Sequence, residues 1–308
     1  MPNNKTILDT TETFPVLRKL CLEDGDNVKN WMQDNQVGVS DLTFTNLFVW
    51  NSTKPVYISH YDNFLIILRF DQKDIPLVFS PIGQGDTVEV IEHLLSFLET
   101  DYPQKSAVIE RVPEDIAKIP GKADYQSKED RGNFDYVYRV RDLTELEGRK
   151  YDGKRNNIKR CLKAYACEYE RITPDNRDEC LQLHEEWCNI RNCEENPALE
   201  EEFLAIRRSF EQFERLGLIG GAIRINGQIE AFAVGEAITE DTAVVHFEKA
   251  NPKKKGLYQV INQWFCRNEI NGFTWVNREQ DLGVEGLRKA KMSYNPHHFI
   301  KKFTISRT

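Results

Sequence analysis

The chain has 308 residues, of which 40% are hydrophobic and 29% are charged, and its 41 basic and 49 acidic side chains give a formal net charge of -8. This composition is typical of a globular protein with about two domains, since a domain usually has roughly 100 to 200 residues. The acidic balance excludes binding of nucleic acid over the whole surface and leaves room only for a local basic surface.

The sequence predicts neither a membrane segment nor a disulfide framework. The first twenty residues lack an apolar run behind a positive start, and no window of about 18 apolar residues occurs anywhere. We therefore expect a cytoplasmic protein. Its seven cysteines are an odd number scattered over a long chain, which favours reduced thiols and predicts no bridges.

The first half predicts a hairpin, a strand, a helix and further strands. Residues 56–70 hold two β-rich runs around the turn formers Asp62 and Asn63. A strand over Pro76–Asp86 follows and runs into a glycine-containing turn. Thr87 is the expected N-cap of the next helix, which has five apolar residues at helical spacing: Val88, Ile91, Leu94, Leu95 and Leu98. Strands over 106–112 and 134–140, separated by a short helix, complete this half.

A basic segment, residues 148–165, connects the halves. Between positions 149 and 163 one acid, Asp152, stands among seven basic residues: Arg149, Lys150, Lys154, Arg155, Lys159, Arg160 and Lys163. An apolar face predicts a helix docked on the body with its cationic side outward: Ile158, Cys161, Leu162 and Tyr165. This helix is either a solvated linker or an anion-binding wall for the phosphates of a cofactor or a tRNA end.

The second half repeats the order of elements. Helices are expected over 178–191 and 198–216, and Asn226-Gly227 predicts a hairpin over 218–238. A strand over 242–250, a helix from Leu257, a strand over 273–277, a helix over 284–292 and a strand over 297–305 follow. We therefore expect an internal duplication and an α/β (α+β) fold of mixed central sheets flanked by helices, with domains 1–147 and 148–308.

The turn before the helix at Leu257 is a candidate anion site. The first amides of a helix are unpaired, and Gly256 permits the close approach of a phosphate. The candidate residues are Lys253, Lys254, Lys255, Gly256, Leu257 and Tyr258. Surface lysines around an ordinary turn are the alternative, and neither a P-loop nor a Rossmann fingerprint occurs.

Other polar residues are candidates for chemistry. His246 and Glu248 are two apart on a strand, so they are expected on one face, where either could act as a base or both could form a satisfied polar pair. Arg288 and Lys291 could clamp a phosphate or carboxylate, or lie on a solvated helix face. Tyr294 is either a proton donor or a core residue. No zinc-type spacing occurs, and we expect no metal.

The strand, turn and helix around Gly256 resemble the acyl-CoA-binding half of the GNAT N-acyltransferase fold. That family's [QR]xxGx[GA] pattern meets Lys253, Gly256 and Tyr258 at its first, fourth and sixth positions. The pattern LGxxGLRxxKxxYxP from Leu282 to Pro296 is similar to the sequence of the C-terminal domain of phosphatidylglycerol lysyltransferases and their soluble relatives. Residues 40–51 resemble the same relatives. The segment KRNNIKRCLKA resembles the basic helix of Fem-type aminoacyltransferases.

The resemblance spans about residues 20 to 305 and implies a tandem GNAT fold with a functional C-terminal half. It implies an acyltransferase that transfers an acyl or aminoacyl group from acyl-CoA to a small-molecule amine or peptide. Coenzyme A or acyl-CoA would be bound by the Gly256 turn together with Arg288 and Lys291. The catalytic candidates are Glu248, His246 and Tyr294. Tyr294 is included because Arg288 follows Leu287 at the position where many GNAT enzymes have their tyrosine. An aminoacyl-tRNA donor gripped by the basic helix 149–163, with a soluble rather than a lipid acceptor, is one alternative. A non-catalytic ligand-binding protein is the other.

Overall fold

A computed structural model describes residues 6–52, 54–71, 73–119 and 125–308, and both predicted hairpins are present in it. Asp62 and Asn226 have φ values of 47° and 51°, in the left-handed region that two-residue hairpin turns require. The strands on either side of each turn pair antiparallel. The hairpins thus follow directly from local turn chemistry.

The chain divides into a first unit, which runs up to Asp135 and includes Ile300–Thr308, and a second unit, Tyr136–Phe299. The expected boundary after residue 147 therefore lies inside the second unit. The first stretch of chain has these elements: β1 Arg18–Lys19, α1 Gly25–Asp34, α2 Phe44–Val49, β2 Val56–Tyr61, β3 Phe64–Phe70, β4 Pro76–Phe79, β5 Ile82–Gly83, α3 Thr87–Asp101, β6 Val108–Pro113, α4 Glu114–Ala117 and β7 Tyr125–Glu129.

The remaining elements belong mainly to the second unit. They are β8 Asp135–Arg139, α5 Val140–Glu145, α6 Asp152–Ala164, β9 Cys167–Arg171, α7 Arg177–Arg191, α8 Pro197–Glu211, β10 Ile219–Ile225, β11 Gln228–Ala237, β12 Thr242–Ala250, α9 Leu257–Asn268, β13 Trp275–Asn277, α10 Glu285–Met292, β14 His298–Ile300 and β15 Lys302–Arg307.

The expected repeat of element order is present, with one exchange of strands. The first sheet has the order β1-β2-β3-β4-β6-β15-β7, with β5 on β3, and the second has the order β14-β8-β13-β12-β11-β10-β9. In each sheet one parallel pair, β4 with β6 and β12 with β13, is followed by an antiparallel neighbour. That neighbour comes from the other half of the sequence: β15 joins the first sheet and β8 joins the second.

Several helix ends differ from the sequence predictions. The N-cap of α3 is Asp86, whose carboxylate accepts a hydrogen bond from the Glu89 amide at 3.0 Å, rather than Thr87. Helix α8 ends at Glu211, five residues before the expected end. The apolar periodicity continues beyond Glu211 because Phe213 and Leu216 remain buried although they are no longer helical.

The core of the second unit lies between its sheet and α9. Val260, Ile261 and Phe265 of α9 are buried there, together with Ile158 and Cys161 of α6. The docked face of α6 is narrower than expected, since the Leu162 side chain is 40% exposed. The basic helix is therefore fixed to the body through three of its four predicted apolar residues: Ile158, Cys161 and the partly buried Tyr165 beyond its end.

The prediction that the cysteines form no bridge is wrong. Cys188 and Cys193 are joined by a disulfide, with their Cα atoms 5.0 Å apart. Asn192, which ends α7 in the left-handed conformation, reverses the chain and brings the two thiols together. Count and spacing do not reveal such a local reversal.

Among the described residues, no helix has the length and apolar character needed to cross a bilayer.

Candidate functional site

Strands β12 and β13 pair over three residues and then separate. Their parallel register runs from Thr242 opposite Trp275 to Val244 opposite Asn277. Strand β13 ends there, whereas β12 continues to Ala250. We call the resulting opening the wedge: residues 245–250 of β12 form one side and residues 278–281, which follow β13, form the other.

A bulge in β12 decides which side chains enter the wedge. On the adjacent strand β11, Val234 lies opposite Phe247 and Gly235 lies opposite Val245, so His246 is the extra residue. A bulge interrupts the alternation of side chains between the two faces of a sheet. The prediction that His246 and Glu248 share a face depends on uninterrupted alternation.

The bulge places these two residues on opposite faces. Val245 belongs to the core on the α9 side, and Glu248 also faces α9. His246 instead contacts Glu236 of β11. Glu236 lies on the same face as Phe232, four residues earlier on β11, whose ring packs on α8. Of the pair, Glu248 alone therefore lies on the α9 face of the wedge.

Glu248 is held by an amide and a guanidinium. Asn262 of α9 donates its Nδ2 to Glu248 Oε2 at 3.1 Å, and Arg278 donates its Nη2 to both carboxylate oxygens at 3.1 and 3.2 Å. Burial opposes the charge on Arg278, but Glu248 keeps the pKa of Arg278 raised. Arg278 Nη1 and Asn262 Oδ1 are buried and have no hydrogen-bond partner within the described residues.

Lys154 of the basic helix reaches the same place. Its Nζ donates to Ser293 Oγ at 2.6 Å and lies 3.7 Å from the centre of the Tyr294 ring. Burial lowers the pKa of Lys154 to about 8; the positive charge of Arg278 adds to this effect and Glu248 opposes it. An ammonium with a lowered pKa inside a polar opening is a typical feature of functional sites.

Tyr294 forms a wall of the wedge. Its side chain is buried, and the guanidinium carbon of Arg278 lies 5.0 Å from the centre of its ring. Burial raises the pKa of the Tyr294 hydroxyl, and the nearby Arg278 charge opposes that rise. The ring therefore contacts both cations of the wedge, while its role as a proton donor stays a prediction.

His246 holds two carboxylates. Its Nδ1 lies 2.8 Å from Glu279 Oε1 and its Nε2 lies 3.0 Å from Glu236 Oε1. A neutral imidazole has one N–H, so only the imidazolium can donate to both. Burial favours the neutral ring, but the hydrogen bonds to both carboxylates raise the pKa of His246 to about 9. His246 thus ties β12 to the residue that follows Arg278, and the geometry does not resemble that of a free base.

The His246 clamp makes stability depend on pH. The folded-state pKa of about 9 lies above the ordinary value of 6.5, so the contribution of His246 is complete below about pH 6.5 and is lost as the pH rises through about 9. We expect the wild type to lose on the order of 3 kcal/mol more free energy of unfolding across this interval than His246→Gln. Urea denaturation at a series of pH values measures this difference. Equal slopes for the two proteins would contradict a charged clamp.

The Gly256 turn is covered by α6. Gly256 has a φ of 93° and caps α9, and a Cβ atom added there would lie 2.5 Å from the Asn157 carbonyl oxygen and 3.1 Å from Cys161 Cβ. The glycine therefore allows the backbone of α6 to approach. On the side of the turn where a Cβ would project, the space is occupied by α6.

The neighbours of Gly256 also have partners within the protein. Leu257 is fully buried in the core. Tyr258 accepts a hydrogen bond from Trp187 Nε1 at 3.0 Å, and burial raises its pKa. Lys254 pairs with Glu230 at 3.3 Å. The side chains of Lys253 and Lys255 remain at the surface of the turn, where the Lys253 amide donates to the Asn251 side chain at 3.0 Å.

Arg288 and Lys291 stabilise the rim of the wedge and do not form a clamp. Arg288 donates to the buried Asp281 through Nε and Nη2, at 2.7 and 2.9 Å. This pair lowers the pKa of Asp281 against the opposing effect of burial. Lys291 donates to the backbone oxygen of Arg278. Both cations therefore fix the loop that carries Arg278.

Sequence reasoning missed Arg278 and Asn262 and counted Lys154 only as one basic residue among seven. A partial signal was present, because a carboxylate on a buried strand requires a cationic or amide partner, and Arg278 immediately follows the next strand. Asn262 lies on the otherwise apolar face of α9. Within the described ranges, no group of His, Cys, Asp and Glu side chains could hold a metal ion.

At the equivalent place in the first unit, carboxylates neutralise the buried cations. Strands β4 and β6 also pair parallel over a short stretch, Val78–Phe79 with Ile109–Glu110. Arg111, the next residue, pairs with Asp41, Glu110 and Asp130 at 2.8, 3.1 and 3.3 Å. The buried Lys302 pairs with Asp41 and Asp135. Each cation there faces at least two carboxylates.

Three solved structures are similar to this chain. A conserved protein of unknown function from Bacteroides thetaiotaomicron is 32% identical, with a TM-score of 0.86 over 95% of this chain and 99% of that chain. L-PGS from Bacillus licheniformis is 15% identical, with a TM-score of 0.61 and 92% of each chain covered. A tandem GNAT protein from the clavulanic acid pathway is 11% identical, with a TM-score of 0.50 over 95% of this chain and 98% of that one. The fold is therefore a tandem GNAT fold, as the resemblance implied.

A curated relative, an uncharacterised protein of Mycoplasmoides gallisepticum, is 24% identical over 175 residues, and the match spans 55% of each chain. The model of the family described as "Phosphatidylglycerol lysyltransferase, C-terminal" matches residues 35–306. Family and fold together indicate a protein of the acyltransferase or aminoacyltransferase type. The chain belongs to the phosphatidylglycerol lysyltransferase C-terminal family.

Proposed function

We propose that this protein is an aminoacyltransferase that takes an aminoacyl group from aminoacyl-tRNA and transfers it to an amine. The observation that carries the proposal is the position of Lys154. Its side chain enters the wedge beside Glu248 and Arg278, while the rest of the same helix presents a basic surface to solvent. One element thus connects a reactive site with a surface suited to phosphates.

The wedge contains the groups that aminoacyl transfer requires. Glu248 takes a proton from the ammonium of the acceptor, and the free amine attacks the carbonyl carbon of the aminoacyl ester. Lys154 stabilises the negative oxygen of the tetrahedral intermediate. The bond between that carbon and the ribose oxygen then breaks, and the ribose oxygen receives the proton from Glu248. The nitrogen of the new amide passes its extra proton to the Glu248 carboxylate, which releases it to solvent. Arg278 orients Glu248 through its Nη2.

The covered Gly256 turn favours tRNA over acyl-CoA as the donor. The Asn157 carbonyl oxygen lies 2.5 Å from the position of a Gly256 Cβ, so α6 fills the side of the turn that the Gly256 Cβ would face. A phosphate on that side of the turn would have to displace α6, which Ile158 and Cys161 anchor in the core.

The outer side of α6 carries three exposed cations, Lys159, Arg160 and Lys163. None of the three forms an ion pair with a described residue. At about 1.5 Å per residue, Lys163 lies roughly 14 Å along the helix from Lys154. Nine residues also make about two and a half turns, so Lys163 lies on the opposite side of α6 from Lys154. The basic surface would therefore contact phosphates farther along a tRNA whose end passes around the helix to the wedge.

Reversing these three charges should weaken tRNA binding and its dependence on salt. We expect K159E/R160E/K163E to reduce the magnitude of the slope of log Kobs against log salt by about 2 to 3, because each lost phosphate contact removes about 0.7 to 0.9. Filter binding of total tRNA at several salt concentrations measures the slope.

A matched variant, K19E/K105E/K128E, reverses three exposed lysines of the first unit. Because both variants change the net charge equally, their difference isolates the surface of α6. Identical slopes for the two variants would refute binding through this helix.

A further inference from the structure

Two buried polar atoms beside Glu248 have no partner, and they are of opposite kinds. Arg278 Nη1 is a charged donor and Asn262 Oδ1 is an acceptor. Both residues bind the same carboxylate through their other nitrogen or amide group, at 3.1 to 3.2 Å. The unused donor and the unused acceptor therefore both lie beside the Glu248 carboxylate.

Leaving such groups unpaired is costly. A buried donor or acceptor without a partner destabilises a protein by about 1 to 3 kcal/mol, and by more when it is charged. The tyrosine rings near Arg278 stabilise its charge but are not conventional hydrogen-bond acceptors: the guanidinium carbon lies 5.0 Å from the Tyr294 ring centre and 5.8 Å from that of Tyr138. A bound ligand would supply the missing partners.

The charges on the α9 face of the wedge are also unequal. Two cations, Lys154 and Arg278, accompany one carboxylate there, Glu248. The corresponding place in the first unit shows that the same fold can balance such charges, since Arg111 has three carboxylate partners there. An anion from outside would balance the excess positive charge around Glu248.

We propose that the wedge binds an acceptor that carries both an ammonium and an anionic group, either a carboxylate or a phosphate. The ammonium contacts Asn262 Oδ1 and Glu248, and the anionic group contacts Arg278 Nη1 and Lys154. This assignment rests on the proposed function for the reaction and narrows its acceptor from any amine to a zwitterionic one.

Binding of three small amines to the full chain tests the assignment in the absence of tRNA. Ethanolamine has no anionic group, whereas β-alanine carries a carboxylate and phosphoethanolamine carries a phosphate. In isothermal titration calorimetry at constant ionic strength, the Kd of at least one zwitterion should be lower than that of ethanolamine by a factor of about ten or more. The comparison of β-alanine with phosphoethanolamine distinguishes the two anions.

Arg278→Met should abolish this preference, and Lys105→Met, which removes an exposed cation from the first unit, should retain it. Arg278→Met alone leaves the buried Glu248 carboxylate without its cation and could unfold the protein. The double variant E248Q/R278M removes both charges of the ion pair and should also lose the preference. Equal affinity for all three amines, or a preference that persists in both Arg278 variants, would overturn the assignment.

Failure of this inference is distinguishable from failure of the proposed function. If zwitterions bind selectively but aminoacyl-tRNA is not discharged, the ligand assignment stands and the tRNA donor is wrong. If aminoacyl-tRNA is discharged equally onto ethanolamine and the zwitterions, the donor stands and the assignment of the acceptor is wrong.

Discussion

Replacing Glu248 with glutamine should lower kcat for aminoacyl transfer by about 10² to 10⁴, the usual contribution of a general base. Glutamine has nearly the same shape and can still accept hydrogen bonds from Asn262 and Arg278, which lie at 3.1 Å in the wild type. It cannot take a proton from the acceptor ammonium. Single-turnover transfer from pre-bound aminoacyl-tRNA measures the effect on the chemical step.

Glu202→Gln is the matched control. Glu202 also pairs with a residue of β12, since its Oε2 accepts a hydrogen bond from Lys249 Nζ at 2.7 Å. Lys249 lies on the opposite face of the sheet from Glu248, with Trp187. Glu202→Gln should leave the single-turnover rate within a few-fold of wild type. A normal rate for Glu248→Gln, or equal losses in both variants, would contradict the role of Glu248.

Gly256→Ala should lower the free energy of unfolding by about 2 to 5 kcal/mol. The left-handed φ of 93° costs a residue with a Cβ about 1 to 2 kcal/mol, and overpacking typically costs a further 1 to 3 kcal/mol. The added methyl group would meet backbone, because the Asn157 carbonyl oxygen lies 2.5 Å away. Denaturation in urea measures the loss.

Gly283→Ala separates the two causes. Gly283 has a φ of 75°, but a Cβ atom there would meet no atom within 4 Å. This variant should therefore lose only the conformational part, about 1 to 2 kcal/mol. A loss for Gly256→Ala no larger than that for Gly283→Ala would show that α6 does not press on the turn, and it would restore the turn as a site for coenzyme A.

Local signals predicted much of the fold. Asn226-Gly227 fixed the hairpin of the second unit, and the periodicity around Leu257 located α9. The repeated order of strands and helices, together with the motif from Leu282 to Pro296, led to the tandem GNAT fold. These features depend on neighbouring residues, so they are accessible from the sequence alone.

The exchange of β8 and β15 could not be predicted in this way. A strand pairs according to what its edge meets in space, and residues 298–307 have the same alternating pattern whichever sheet they join. The bulge at His246 is likewise invisible to simple periodicity. It separates His246 from Glu248, which were expected on one face, and leaves a charged clamp on one face and the Glu248 carboxylate on the other.

The anion site at Gly256 illustrates a different difficulty. A glycine with a positive φ at the start of a helix suits a phosphate and a packed backbone equally well, and only the position of α6 distinguishes them. Lys154 shows the reverse case. It is one cation among seven in the sequence, but burial beside Tyr294 and Arg278 lowers its pKa to about 8.

The most direct test of the aminoacyl-tRNA donor is a competition between donors. The full chain is incubated with a radiolabelled total aminoacyl-tRNA pool, acetyl-CoA, and the three amines used for the binding test, and the loss of ester and thioester is followed together. We predict loss of the aminoacyl ester, dependent on Glu248, while the thioester persists. Loss of the thioester with intact aminoacyl-tRNA would identify acyl-CoA as the donor, and persistence of both would favour a ligand-binding protein. Either result would contradict an aminoacyl-tRNA donor.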